Sequence, residues 1–183
     1  MEIIDELRNK KGFIAALDQS GGSSKRTLAN YGIGEELITS DEVMFDYIHK
    51  MRSRVITNEA FNDRILGVIL FENTMERDID GINTVKYLEN KGIPSFLKID
   101  VGLEDEDGGM QMLKEIPNLE KRLEKAKSYG IVGTKMRSVI KEYNEYGIKK
   151  VIEQQFSLAK IGFRYFFYIW ILFFNISYRN VIY

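Results

Sequence analysis

The sequence predicts an α/β fold with a parallel sheet, because strand-like and helix-like segments alternate along residues 1–160. Four apolar, strand-like runs carry this pattern, namely GFIAALD (12–18), RILGVILF (64–71), IPSFLKID (93–100) and IVGTKMRSV (131–139). The chain has 183 residues, of which 44% are hydrophobic and 29% are charged. These proportions are typical of one globular domain with its own core.

Helix-like segments with apolar stripes separate the strands. The first opens at Thr39, whose backbone N–H the side chain of Glu42 can reach in a capping box. Its apolar stripe is predicted to consist of Met44, Ile48, Met51 and Val55. Two further stripes are predicted from the same spacing, one of Leu119, Leu123 and Ala126, the other of Ile148, Val151, Ile152, Phe156 and Ala159.

Charged residues at the strand ends favour a barrel over an open sheet. Successive side chains of a strand point to opposite faces, so Lys98 and Asp100 share one face of the third strand. Lys135 and Arg137 share one face of the fourth. An open sheet covered on both faces would bury these charges, whereas a barrel mouth offers a polar cavity. We therefore predict an incomplete (β/α)₈ TIM barrel of about the first four βα units, since a closed barrel needs eight strands and about 250 residues.

The loop after the first strand is a candidate phosphate site. Asp18 ends that strand, and Gln-Ser-Gly-Gly-Ser-Ser (19–24) follows it. The hydroxyls of Ser20 and Ser23, together with free N–H groups at a helix start, would suit a phosphate. An ordinary loop with a serine N-cap explains the same residues, and both interpretations stay open.

The strand ends together suggest a binding site for an anion. We expect Asp18, Lys98, Lys135 and Arg137 to lie at the same end of the strands and on the inward face. Three cations and one or two carboxylates fit an anionic substrate, most simply a sugar phosphate. A lysine crowded by other cations also loses proton affinity and becomes a better nucleophile or proton carrier. A buried salt-bridge network is the alternative explanation of these charges.

Composition excludes several kinds of chemistry. The chain has no cysteine and a single histidine, His49, so disulfides and zinc sites are not expected and no metal or other cofactor is predicted. His49 stands in a helix beside Lys50, where a surface or boundary role is expected. A net charge of −1 gives no basic stripe for nucleic acid. The first twelve residues lack the apolar core of a signal peptide, so a cytoplasmic location is the expectation.

Six segments of residues 1–160 resemble a class I fructose-bisphosphate aldolase of the bacterial single-chain type. They are GFIAALDQSGGSSKRTL (12–28), MRSRVIT (51–57), ILGVILFENTMERDIDG (65–81), PSFLKIDVGL (94–103), GTKMRSVI (133–140) and VIEQQFSLAK (151–160). The resemblance implies a (β/α)₈ lyase of glycolysis that cleaves fructose 1,6-bisphosphate to dihydroxyacetone phosphate and glyceraldehyde 3-phosphate. It implies a lysine Schiff base and neither metal nor cofactor.

The resemblance also assigns roles by motif. It implies catalytic roles for Asp18, Lys135 and Arg137, and substrate or phosphate binding by Ser20, Ser23 and Lys98. The family's fifth strand carries a catalytic glutamate and its sixth carries the Schiff-base lysine. Neither has a match after Lys160, so this chain is expected to be inactive alone. A non-catalytic sugar-phosphate-binding or interaction module is the alternative function.

Residues 161–183 differ in composition from the rest of the chain. They contain ten aromatic residues, two arginines and no acidic residue. The uninterrupted apolar stretch Tyr165–Phe174 has ten residues, whereas a membrane-spanning helix needs about 20, so no membrane partner is predicted. A partner-binding element and translation of a shifted or interrupted reading frame are the other interpretations, and the abrupt change favours the latter. An exposed half-barrel with such a tail would also be prone to self-association.

Overall fold

The computed structural model of the chain describes residue 7, residues 9–20, residues 22–166 and residues 170–176. The side chains of residues 22, 23 and 170–176 lie outside this description. Contacts divide the chain into two compact units. Unit 1 consists of Met1–Leu97 and Tyr129–Ile131, and unit 2 consists of Lys98–Ser128 and Val132–Tyr183.

Strands and helices alternate in both units. The elements of unit 1 are β1 (Phe13–Leu17), α1 (Gly22–Asn30), a 3₁₀ turn (Glu35–Leu37), α2 (Asp41–Thr57), β2 (Ile65–Leu70), α3 (Glu72–Met75), β3 (Asp78–Ile79), β4 (Ile82–Asn83), α4 (Thr84–Asn90) and β5 (Ser95–Lys98), whose last residue belongs to unit 2. The elements of unit 2 are β6 (Met110–Gln111), α5 (Leu119–Ser128), β7 (Gly133–Ile140), α6 (Glu145–Gly162) and β8 (Trp170–Ile176).

Unit 1 is built around parallel strands. β1 pairs with β2, and β2 pairs with β5, both in parallel. The central strand β2 is almost entirely buried and apolar, as expected for a parallel strand covered on both faces. Gly67 is required within it, because a Cβ atom there would lie 2.6 Å from the Phe96 ring. β3 and β4 form a short antiparallel hairpin.

Unit 2 is built around β7. β8 runs parallel to β7 with Lys135 opposite Ile171, and the short strand β6 runs antiparallel to it. The four predicted strands are confirmed as β1, β2, β5 and β7. The count of four was wrong, because β8 is a further parallel strand within the aromatic segment 161–183. An apolar run of strand length and high β propensity was the missed signal. Residues 167–169 and 177–183 of that segment lie outside the described residues.

Helix α2 begins one residue later than predicted. Its N-cap is Ser40, which has an extended backbone and whose Oγ accepts a hydrogen bond of 3.2 Å from the Val43 N–H. The predicted cap at Thr39 is therefore wrong. Asp41 and Glu42 occupy the first turn, where negative charge complements the positive end of the helix dipole.

The predicted apolar stripes are only partly correct. The buried residues of α2 are Met44, Ile48, His49, Arg52 and Ile56. Val55, predicted on the buried stripe, is 37% exposed, because the stripe advances four residues at a time from Met44 to Ile56. The predicted stripe of α5 is confirmed by its buried residues Leu119, Leu123 and Ala126.

Helix α6 buries a narrower face than its sequence suggests. Val151 and Ala159 are buried as predicted, whereas Ile152 and Phe156 are exposed. Gln155 is buried instead, and its Nε2 donates a hydrogen bond of 2.6 Å to Ser138 Oγ on β7. Within the described ranges, none of the helices combines the length and hydropathy needed to cross a bilayer.

Candidate functional site

Asp18 stands at the carboxyl end of β1. Alternation along the strand puts it on the face opposite Phe13, Ala15 and Leu17, and its side chain is buried. Ser20 follows in the connection to α1 and is partly buried. The side chain of Ser23, the other predicted phosphate-binding hydroxyl, lies outside the described residues.

A buried arginine from α2 reaches the same end of β1. Arg52 has no exposed surface, its Nη2 donates a hydrogen bond of 2.5 Å to the Gln19 carbonyl, and its Nη1 donates one of 2.6 Å to Thr74 Oγ1. Burial lowers the pKa of Arg52 to about 10, and the nearby negative charge of Asp18 opposes that shift. Burying a guanidinium costs desolvation free energy, so the group needs anionic or carbonyl partners. Asp18 is the nearby anion, and Gln19 provides the carbonyl.

Sequence reasoning missed Arg52 although a signal was present. It follows Met44 and Ile48 at intervals of four residues and precedes Ile56 by four, so it lies on the buried face of α2. A charged residue in register with buried apolar residues marks a buried ion or hydrogen-bond site. The predicted stripe continued from Ile48 to Met51 and Val55, and it therefore left out Arg52.

Lys98 and Asp100 form a close pair at the end of β5. Lys98 Nζ lies 3.3 Å from Asp100 Oδ1 and donates a hydrogen bond of 2.8 Å to the Asp100 carbonyl. The side chain of Asp100 is 1% exposed and that of Lys98 is 13% exposed. The second carboxylate oxygen of Asp100, Oδ2, is buried without a hydrogen-bond partner in the described part of the chain. A buried carboxylate with spare acceptor capacity can receive a hydrogen bond from a ligand hydroxyl.

β7 presents the other predicted cations of unit 2. Thr134 and Met136 are fully buried, whereas Lys135 is partly buried and Arg137 is exposed, as the predicted strand alternation requires. The Ile99 N–H donates a hydrogen bond of 3.0 Å to the Lys135 carbonyl. The segment that carries Lys98 and Asp100 therefore runs beside β7 within unit 2.

The predicted site residues are divided between the two units. Asp18 and Ser20 belong to unit 1, and Lys98, Lys135 and Arg137 belong to unit 2. Their convergence on one cavity stays a prediction. Among the residues that the structure describes, no three His, Cys, Asp or Glu side chains are grouped as a metal site would require.

The surface or boundary position expected for His49 is wrong. Its imidazole is buried, and Nε2 donates a hydrogen bond of 2.8 Å to the Asp78 carbonyl at the start of β3. Nδ1 is buried without a partner in the described residues. Burial lowers the pKa of His49, and the nearby charges of Arg77 and Arg52 lower it further. His49 thus fastens the β3–β4 hairpin to α2.

The alternation of parallel strands with helices matches part of a known barrel fold. The chain is similar to fructose-bisphosphate aldolase from Plasmodium falciparum, solved in complex with TRAP and a small-molecule inhibitor. The TM-score is 0.69 at 21% sequence identity, over 88% of this chain and 49% of the other. The chain therefore has an α/β fold that matches part of an aldolase TIM barrel, and it spans about half the length of that relative.

A comparison of the sequence with models of protein families identifies the family as well as the fold. The model of the family "Fructose-bisphosphate aldolase class-I" matches residues 3–162. The chain belongs to the class I fructose-bisphosphate aldolase family. The matched range contains all of the predicted site residues.

Proposed function

We propose that this chain carries the first part of a sugar-phosphate site and that it binds fructose 1,6-bisphosphate without cleaving it by itself. The family match over residues 3–162 is the observation that carries the proposal. The predicted binding groups are Asp18, Ser20, Ser23, Lys98, Lys135 and Arg137, which all fall within that range. The proposal divides the chain at residue 160, two residues before the end of the family match.

The chemistry of these groups supports a phosphorylated polyol as the ligand. Arg137 is exposed and can meet a phosphate from solvent, where a guanidinium forms bidentate hydrogen bonds. Asp18 and Asp100 are buried carboxylates at strand ends, suited to accept hydrogen bonds from sugar hydroxyls. Lys98 is held beside Asp100, which keeps its ammonium in place as a counter-charge for phosphate.

Cleavage needs a group that the proposal does not assign to this chain. The family breaks its carbon–carbon bond after a lysine amine forms a Schiff base with the ketone, which gives the bond electrons an acceptor. Residues 161–183 contain no lysine that could take this role. The expected effect of lacking a covalent nucleophile is a loss of several powers of ten in rate.

Calorimetric titration with fructose 1,6-bisphosphate tests the binding part of the proposal. Saturable binding is expected, and Arg137→Ala should weaken it about tenfold or more, because a charge-assisted hydrogen bond contributes about 1.5–3 kcal/mol. Arg64→Ala, at an exposed arginine outside the predicted set, is the matched control and should leave affinity unchanged. Absence of binding at millimolar ligand, or equal effects of both variants, would contradict the proposal.

A trapping experiment tests the inactivity. The purified chain is incubated with dihydroxyacetone phosphate and borohydride, and mass spectrometry then searches for a reduced lysine adduct, alongside a coupled cleavage assay. Neither adduct nor turnover is expected. Turnover accompanied by a trapped lysine within the chain would refute it, whereas turnover without an adduct would point to a contaminating enzyme.

A further inference from the structure

Arg52 joins three segments of unit 1 at the carboxyl ends of β1 and β2. It belongs to α2, and its Nη2 donates a hydrogen bond of 2.5 Å to the carbonyl of Gln19, which follows β1. Its Nη1 donates one of 2.6 Å to the hydroxyl of Thr74, which lies in α3, the helix that follows β2. Arg52 and Thr74 have no exposed surface. These two bonds therefore restrain both strand ends from inside the protein.

The contacts of Arg52 indicate a role other than direct ligand binding. A side chain without exposed surface does not meet a ligand from solvent, and both of its terminal nitrogens already donate to protein acceptors. Replacing a whole buried ion pair by apolar residues often leaves stability unchanged, so stability alone does not explain such a pair. The planar fork of a guanidinium instead imposes a fixed geometry on its partners.

The partner whose geometry matters for a ligand is Asp18. The Gln19 carbonyl that Arg52 holds belongs to the residue directly after Asp18, so the backbone is restrained next to the carboxylate. The positive charge of Arg52 also interacts with the negative charge of Asp18, whose side chain is buried. One side chain thus restrains the backbone beside Asp18 and favours one position of its carboxylate. A hydrogen-bond acceptor in a fixed position can distinguish ligands by their hydroxyls.

We propose that Arg52 is a positioning residue that gives the sugar-phosphate site its selectivity for hydroxylated ligands. It holds Asp18 where the carboxylate accepts hydrogen bonds from ligand hydroxyls, and Thr74 provides a second anchor for the guanidinium. Affinity for the phosphate groups depends mainly on the proposed cations of unit 2. Loss of Arg52 therefore reduces the recognition of hydroxyls and spares the recognition of phosphates. This role depends on the proposed binding of fructose 1,6-bisphosphate.

Two bisphosphates with the same number of carbon atoms provide the test. Fructose 1,6-bisphosphate carries hydroxyls between its phosphates, whereas hexane-1,6-diol bisphosphate carries only methylene groups there. Calorimetric titration of the full chain measures the affinity for each, and the native chain should bind fructose 1,6-bisphosphate more tightly. Arg52→Met should lower the affinity for fructose 1,6-bisphosphate about tenfold, the effect of losing one hydrogen bond to a charged group, and should change the affinity for the other ligand by less than about twofold.

A second variant decides the question if Arg52→Met does not fold, as circular dichroism will show. Thr74→Val has nearly the same shape and removes the acceptor of Nη1 while keeping the guanidinium, so it should cause the same selective loss, at about threefold. Its matched control is Thr84→Val, at an equally buried threonine whose hydroxyl donates a hydrogen bond of 2.8 Å to the Arg77 carbonyl. Arg54→Met, at an exposed arginine of α2, is the control for Arg52→Met. Both controls should leave the two affinities unchanged.

Three outcomes would overturn this role while leaving the proposed function in place. An equal loss of affinity for both bisphosphates in the Arg52 and Thr74 variants would show general damage to the fold. Unchanged affinities in the folded variants would show that Asp18 does not depend on Arg52. Equal affinity of the native chain for both bisphosphates would show that the site does not recognise hydroxyls. Absence of fructose 1,6-bisphosphate binding by the native chain would overturn both the proposed function and the role of Arg52.

Discussion

The buried arginine Arg52 offers the sharpest test of how unit 1 is held together. We consider Arg52→Met, which keeps a long apolar stem but removes the guanidinium. The change deletes the hydrogen bonds to the Gln19 carbonyl and to Thr74 Oγ1, at 2.5 and 2.6 Å. It also removes a positive charge that interacts with the buried carboxylate of Asp18.

The expected cost follows from these contacts. Removing one partner of a buried pair costs about 3–5 kcal/mol, and burial of the methionine side chain returns about 1.5–3 kcal/mol. The net loss in the free energy of unfolding should be about 2 kcal/mol. With a urea m-value of about 2 kcal/mol/M, the unfolding midpoint should fall by about 1 M.

Urea unfolding followed by far-UV circular dichroism at neutral pH measures this shift. Arg54→Met, at an exposed arginine of the same helix, is the matched control and should change stability by less than about 0.5 kcal/mol. If Asp18 and Arg52 are coupled, Asp18→Asn should cost less in the Arg52→Met background than in the native chain. Equal stability of the two arginine variants, or additive effects of Arg52→Met and Asp18→Asn, would refute the reasoning.

Two further predictions concern α2. The lowered pKa of buried His49 means that the unfolded chain binds its proton more readily, so this contribution to stability is present above about pH 6.5 and is lost as pH falls below it. Midpoints of urea unfolding measured between neutral pH and about pH 5.5 should therefore drop on acidification, and His49→Gln, at the only histidine, should flatten the change; an equal slope in both proteins would contradict this. Ser40→Ala should cost about 1 kcal/mol because it removes the N-cap, whereas Thr39→Ala should cost less than about 0.5 kcal/mol. The opposite order in thermal unfolding would restore the cap predicted at Thr39.

The alternation of strands and helices was readable from the sequence because it depends on local periodicity. The runs that became β1, β2, β5 and β7 are short and apolar, and their length favours strands over helices. The strand face of β7 was equally predictable, since a period of two fixes that Lys135 and Arg137 lie opposite Met136.

The limits of sequence reasoning appear where composition and local structure disagree. β8 lies in a segment whose aromatic content suggested a foreign tail, yet its backbone pairs in parallel with β7 from Trp170 to Ile176. The predicted N-cap of α2 was wrong by one residue, because Thr39 and Ser40 both suit the position by residue type. The backbone angles and the hydrogen bond from the Val43 N–H identify Ser40 as the cap.

The sequence by itself determined the alternation of β1, β2, β5 and β7 with helices, the family and the types of residue available at the strand ends. Tertiary structure alone decided which polar groups are buried. Arg52 meets Gln19 and Thr74 across 33 and 22 positions of the chain, and His49 meets Asp78 across 29. Periodicity reports only neighbours within a few residues, whereas the desolvation of a charge depends on every segment that packs around it.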